Sequence, residues 1–125
     1  MIESWVIDDG SGESVLLDNV AEALRARFAD GRCETWLRSS SGRLLAFLTN
    51  GERASVSLLE GEGEPGQHAI APGATGASLG FILSNGQHDE YADEETVPLA
   101  EALRIVVHIV GQGVWPSDAC RLDDR

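Results

Sequence analysis

Two stretches of the chain carry apolar residues at helical spacing, and much of the remainder alternates. In "DNVAEALRARFADG", Val20, Leu24 and Phe28 fall at i, i+4 and i+8 with Ala23 beside them, which predicts an amphipathic helix. Asn19 followed by Glu22 has the pattern of a capping box, and Asp30-Gly31 closes the segment. In "VPLAEALRIVVHIVGQG", Leu99, Leu103, Val106 and Val110 form one stripe that Ala102 and Ile109 widen. Pro98 suits the first turn of this second helix, and Gly111 and Gly113 stop it.

The other segments favour strands. "IESWVID" (2–8) is rich in β-branched and aromatic residues and ends in "DDGSG", a turn; "RCETWLR" (32–38) alternates weakly before "SSSG". "RLLAFLTNGERASVSLLE" sets two apolar runs on either side of Asn50-Gly51, a dipeptide suited to a two-residue hairpin because both positions tolerate positive φ. "EGEGEPGQHAIAPGATG" (60–76) reads as a long flexible loop. "ASLGFIL", Asn85-Gly86 and "QHDEYA" repeat the hairpin pattern with a polar second arm, as at a sheet edge, and "DACRLD" is a candidate final strand. Hairpins stand where parallel crossovers would need helices. The expected fold is therefore α+β: one domain over 1–125, with an antiparallel-dominated sheet of about six strands and two helices packed on one face.

Composition sharpens the functional question. Twenty-one acidic residues against nine basic ones give a net charge of -12, which disfavours direct nucleic-acid binding and anionic membranes and favours cationic partners. Between Arg53 and Arg104 there are carboxylates at 60, 62, 64, 89, 90, 93, 94, 95 and 101 and no Lys or Arg. No run of about 18 apolar residues is present and the N-terminus carries an early glutamate, so a cytoplasmic location is expected. Cys33 and Cys120 are read as reduced thiols and not as a disulfide.

The short motifs lack their contexts. "GASLG" (76–80) matches the serine-hydrolase G-x-S-x-G, but Ser78 follows a glycine-rich loop and precedes a hairpin, where a nucleophile elbow needs a strand-to-helix turn. "GEGEPG" (61–66) spells G-x-G-x-x-G, yet Glu62 and Glu64 would repel phosphate and no helix follows. His88, the acids after it and His68 show no metal-ligand spacing, and on a strand His88 and Glu90 share one face while Asp89 and Tyr91 share the other. His108 sits between Val107 and Ile109 with no evident catalytic partner. No catalytic, metal or cofactor site is assigned. What remains is a candidate binding surface: Asp89, Glu90, Tyr91, Asp93, Glu94 and Glu95, with Trp115 as a further aromatic anchor.

"LGFILSNGQHDEYADEETVPLAEALRIVVHIVGQGVWPSDACRLD" resembles the first-numbered immunity-protein family of bacterial polymorphic toxin systems. That family runs an apolar strand, a glycine turn, an acidic strand, a V/I-P-x-x-E-A helix start, a G-x-x-P step and a short final strand. Here these are Phe81 to Leu83, Asn85-Gly86, Asp89 to Tyr91, Val97-Pro98 with Glu101-Ala102, Gly113 to Pro116 and Ala119 to Leu122. Family members often carry a tryptophan in the final strand, where this chain has Leu122; its Trp115 precedes Pro116. The resemblance implies a non-catalytic inhibitor that neutralises a co-encoded toxin with a basic surface, such as a nuclease or nucleic-acid deaminase; for the oligomeric state the sequence leaves monomer and weak dimer open. A general cytoplasmic interaction or regulatory domain is the alternative, and a small hydrolase ranks last.

Overall fold

The computed structural model describes residues 3–124, so Ile2 of the first expected strand lies outside the described residues. Trp5–Ile7 (β1) pairs antiparallel with Ser14–Val15 (β2) on one side and with Glu34–Ser39 (β3) on the other. Between β2 and β3 runs the first helix, Val20–Ala29 (α1). Leu44–Thr49 (β4) and Arg53–Leu59 (β5) continue the sheet as a meander. Their turn lies one residue further on than expected. Asn50 N–H donates to the Arg53 carbonyl, Gly51 and Glu52 form the two-residue loop, and Asn50 Oδ1 accepts the N–H groups of both Glu52 and Arg53. An Asn side chain that caps its own turn in this way belongs before the loop, not in it.

The segment 60–76 is not all loop. Gly66–Ala69 (β6) pairs antiparallel with β5, and the glycine that reads as a breaker is what permits it: a Cβ at Gly66 would lie 2.2 Å from the Leu58 carbonyl oxygen. Ala77–Ile82 (β7) and His88–Ala92 (β8) form a separate two-stranded sheet with an irregular register between Ser78 and Phe81, where Gly80 has φ +92°. After a 3₁₀ turn at Asp93–Glu95, Val97–Pro98 (β9) pairs with the start of β5, and Arg121–Asp123 (β10) pairs with β6. The main sheet thus has eight strands, in the order β10-β6-β5-β4-β3-β1-β2 with β9 also on β5, where about six were expected. Three strands of this sheet, β2, β6 and β9, were not expected; all are short, and β6 and β9 come from segments whose glycine or proline argues against pairing.

The second helix, Leu99–Gln112 (α2), starts after Pro98, which is extended (φ -55°, ψ 147°) because β9 holds it in the sheet. Gly111 lies inside the helix, and Gly113 ends it in the left-handed region. In α1 the expected capping box does not form: Asn19 Oδ1 accepts the Leu16 N–H at 2.7 Å, a local bond that competes with the helical one.

The two helices contact each other and cover one face of the sheet. On α2 the buried face is Ala102, Leu103, Ile105, Val106, Ile109 and Val110: Ile105 joins the expected stripe and Leu99 is only partly buried. Leu37, Leu45, Val56 and Ile109 are each fully buried there, and every such side chain is worth about 1.5–3 kcal/mol of transfer free energy. Trp5, Phe47 and Trp115 complete this core. A second, smaller cluster holds the β7–β8 hairpin to the rest: Phe81 with Cys33 and Leu48, flanked by Phe28, Leu83 and Tyr91. No helix among the described residues is long and apolar enough to cross a membrane.

Candidate partner-binding face

Strand alternation sends Thr35, Leu37, Leu45, Phe47, Ala54, Val56 and Leu58 toward the helices. Their neighbours must then point the other way. The register aligns Trp36 with Ala46, Ala46 with Ser57 and Ser57 with His68 across four strands on the face that no helix covers. Small residues at Ala46, Ser55 and Ser57 keep this floor low. The hairpin rises on one side through Leu83 and Tyr91, and Pro65 and Asp124 rise on the other, enclosing a groove of about 280 Å³.

Carboxylates ring the groove. Glu34 accepts the Trp36 indole N–H at 3.1 Å and the Ser84 backbone N–H at 2.8 Å. Burial works against its ionisation, but those bonds prevail and hold it below the ordinary carboxylate range, with the charge of Asp89 pushing it back up. Asp89 accepts the Tyr91 hydroxyl at 2.9 Å. Burial and that bond push the phenol up to about 12, so Tyr91 is a neutral donor. Glu64 and Asp124 line the opposite side. Among the described residues none of Glu34, Glu64, Asp89 and Asp124 has an arginine within 4.0 Å.

The arginines are engaged elsewhere. Arg27 meets Asp9, Arg38 meets Asp8, Arg43 meets Glu3 and Arg104 meets Glu101 and Asp118. Arg53 donates to Thr96 Oγ1, Thr96 O and Asp93 O, each at 2.8 Å. Among the described residues these pairings leave Glu34, Glu64 and Asp89 with no cation within 4.0 Å, while Asp124 contacts the His68 ring.

The candidate residues read from the sequence separate under this geometry. Tyr91 lines the groove and Asp89, half-buried, lies behind it bonded to the phenol and to Gln87, while Glu90 and Glu94 are exposed outside the groove's lining. Asp93 is a structural acid: Ser78 Oγ donates to it at 2.6 Å and Arg53 lies 3.6 Å away. Glu95 contacts Nε2 of His68, whose Nδ1 contacts Asp124, so the two acids sit on opposite edges of the ring and do not converge. Trp115 belongs to the core, only 8% exposed, with the Arg121 guanidinium 5.9 Å over its ring. Ser78 lies on β7 bonded to Asp93, away from any nucleophile elbow, and His108 Nδ1 contacts the Val114 carbonyl at 2.8 Å. Cys33 is buried and Cys120 exposed, neither in a disulfide. Among the described residues no group of three or more His, Cys, Asp or Glu side chains is disposed to hold a metal ion.

Glu34 and Trp36 were not singled out in the sequence, yet they form the centre of this face. The available signal was a repeated spacing: Glu34-x-Trp36 on β3 and Asp89-x-Tyr91 on β8 both set a carboxylate two residues before an aromatic ring. No protein-family model matches the chain, and no curated protein matches it in sequence.

Proposed function

We propose that this protein is a non-catalytic immunity-type inhibitor, resident in the cytoplasm, that neutralises a co-encoded toxin by docking its uncovered sheet face on a basic surface of that toxin. The observation that carries the reading is the groove of Trp36, Tyr91 and Leu48 lined by the carboxylates of Glu34, Glu64 and Asp124, with Asp89 bonded behind Tyr91 and no arginine among the lining residues. Buried aromatic anchors inside a charged rim are the usual anatomy of a protein interface, and a net charge of -12 steers a cationic partner toward it. A toxin that acts on nucleic acid carries a basic site for phosphates, so an acidic inhibitor of this shape obstructs it by charge as well as by bulk.

Co-purification of the chain with the product of the adjacent gene tests the proposal. A stable complex that abolishes the neighbour's toxicity is the expected result; a neighbour that neither harms cells nor binds would count against it. Reversing charge at Glu64 and Glu90, both exposed and outside the internal ion pairs, should slow association about tenfold and flatten its salt dependence. Reversal at Asp93 would test the fold instead, because that acid secures Ser78 and Arg53.

A further inference from the structure

The same device occurs twice, once in the wall of the groove and once at its edge, where only the ring lines it. On β3, Trp36 donates its indole N–H to Glu34; on β8, Tyr91 donates its hydroxyl to Asp89, each pair two residues apart on one face of its strand. The donor of each ring is thereby used up by its own carboxylate; Glu34 also accepts the Ser84 N–H, Asp89 the Gln87 side-chain amide, and Tyr91 packs edge-on with Phe81, while neither carboxylate meets a cation among the described residues. The two pairs are close enough for the charge of Asp89 to act on both Glu34 and Tyr91. Like charges held near each other at a half-buried site are unfavourable unless something positive joins them.

Aromatic faces set beside carboxylates recognise one chemistry well. A guanidinium is planar, weakly hydrated, stacks on Trp and Tyr and binds carboxylates through two parallel N–H bonds; a lysine ammonium is compact, strongly hydrated and makes poorer use of a flat slot. We infer that the groove between Trp36 and Tyr91 is the seat of a single arginine side chain presented by the partner protein, held by the Glu34 carboxylate that lines it, with the charge of Asp89 behind Tyr91 reinforcing the hold, and forming the anchor of the interface. This rests on the partner-neutralising reading above and names the contact that reading requires. The floor explains the depth: Ala46, Ser55 and Ser57 leave room for a long side chain where larger residues would fill the space.

The full-length chain, isotopically labelled, can be titrated with N-acetyl-argininamide, N-acetyl-lysinamide and the neutral citrulline analogue. The Trp36 indole N–H resonance should move with argininamide at millimolar concentration, at least fivefold less with lysinamide, and not with citrulline. The joint variant Glu34→Gln with Asp89→Asn should weaken argininamide binding at least tenfold, and Trp36→Phe, which keeps a ring of similar bulk, should retain binding while removing the reporter, leaving Tyr91 neighbours to show it. No movement at Trp36, or equal movement with all three probes, overturns the arginine seat. If the toxin complex forms and is indifferent to Glu34→Gln with Asp89→Asn, the seat falls while the inhibitor reading stands. If argininamide binds as described but the adjacent gene's product is ignored, the seat stands and the choice of partner falls.

Discussion

Glu3 and His68 carry opposite pH responses. Arg43 donates to Glu3 through Nε at 2.9 Å and through Nη2, and the same guanidinium holds the Gly113 carbonyl at the end of α2 at 2.8 Å. The arginine bond, against some burial, holds the Glu3 carboxyl at about 2, below its ordinary 4.5. A depressed folded value means the stabilisation is present above about pH 4.5 and fades as pH falls toward 2. Glu3→Gln should cost about 2 kcal/mol in urea unfolding at neutral pH and lose most of that difference at pH 3, since the pair is only partly exposed but not fully dry. His68 behaves the other way. Burial disfavours its cation, but the bonds to Glu95 and Asp124 prevail and raise it above 6.5. Its contribution is complete below pH 6.5 and is lost as pH rises through the raised folded value, which a proton-exchange titration of the His68 ring resonances against those of exposed His88 would follow. Loss of the clamp should loosen β10 first, because Asp124 is its link to the ring.

Among the elements, β6 shows how far pattern reading goes. Helices, the β4–β5 hairpin and the β7–β8 hairpin are legible because their apolar spacing is long and local; β6 and β9 are not, because each is defined by a partner and not by its own residues. Gly66 and Pro98 say "loop" locally and are overruled by the free edge of β5, which pairs both. The groove was half legible for the same reason. Asp89 and Tyr91 stand out in an acidic run, whereas Trp36 acquires its meaning only when β3 is set beside Ala46 and Ser57. Gly66→Ala is the sharpest test of β6: the methyl meets a backbone carbonyl that cannot move aside, so a loss of about 3 kcal/mol and release of β10 are expected, read by denaturant unfolding and by hydrogen exchange at Ala69. The β7–β8 hairpin should exchange its amides sooner than β4 and β5, since beyond Phe81 its ties to the main sheet include single bonds such as Asn50 Nδ2 to the Leu79 carbonyl at 2.9 Å.

At the scale of the whole molecule, charge and hydrophobicity are segregated by face. Helices and core occupy one side of the sheet; on the uncovered side Arg38 is paired with Asp8 and His68 with Glu95 and Asp124, which leaves Glu34, Glu64 and Asp89 as acids without a cationic partner among the described residues. Association with a cationic partner should therefore slow as salt rises from 0.05 to 0.5 M while dissociation changes less, a split that stopped-flow measurement at several ionic strengths would resolve, taking a screening length of about 10 Å at 0.1 M. The hairpin that forms one wall of the groove has its own small hydrophobic cluster, distinct from the core under the helices. Changes to Asp89, Tyr91 and their neighbours consequently cost the main sheet little. Under the inhibitor reading proposed above, the β7–β8 wall of the groove is the part that can change with the partner, while the β3 wall that carries Glu34 and Trp36 is tied to the sheet and has to persist.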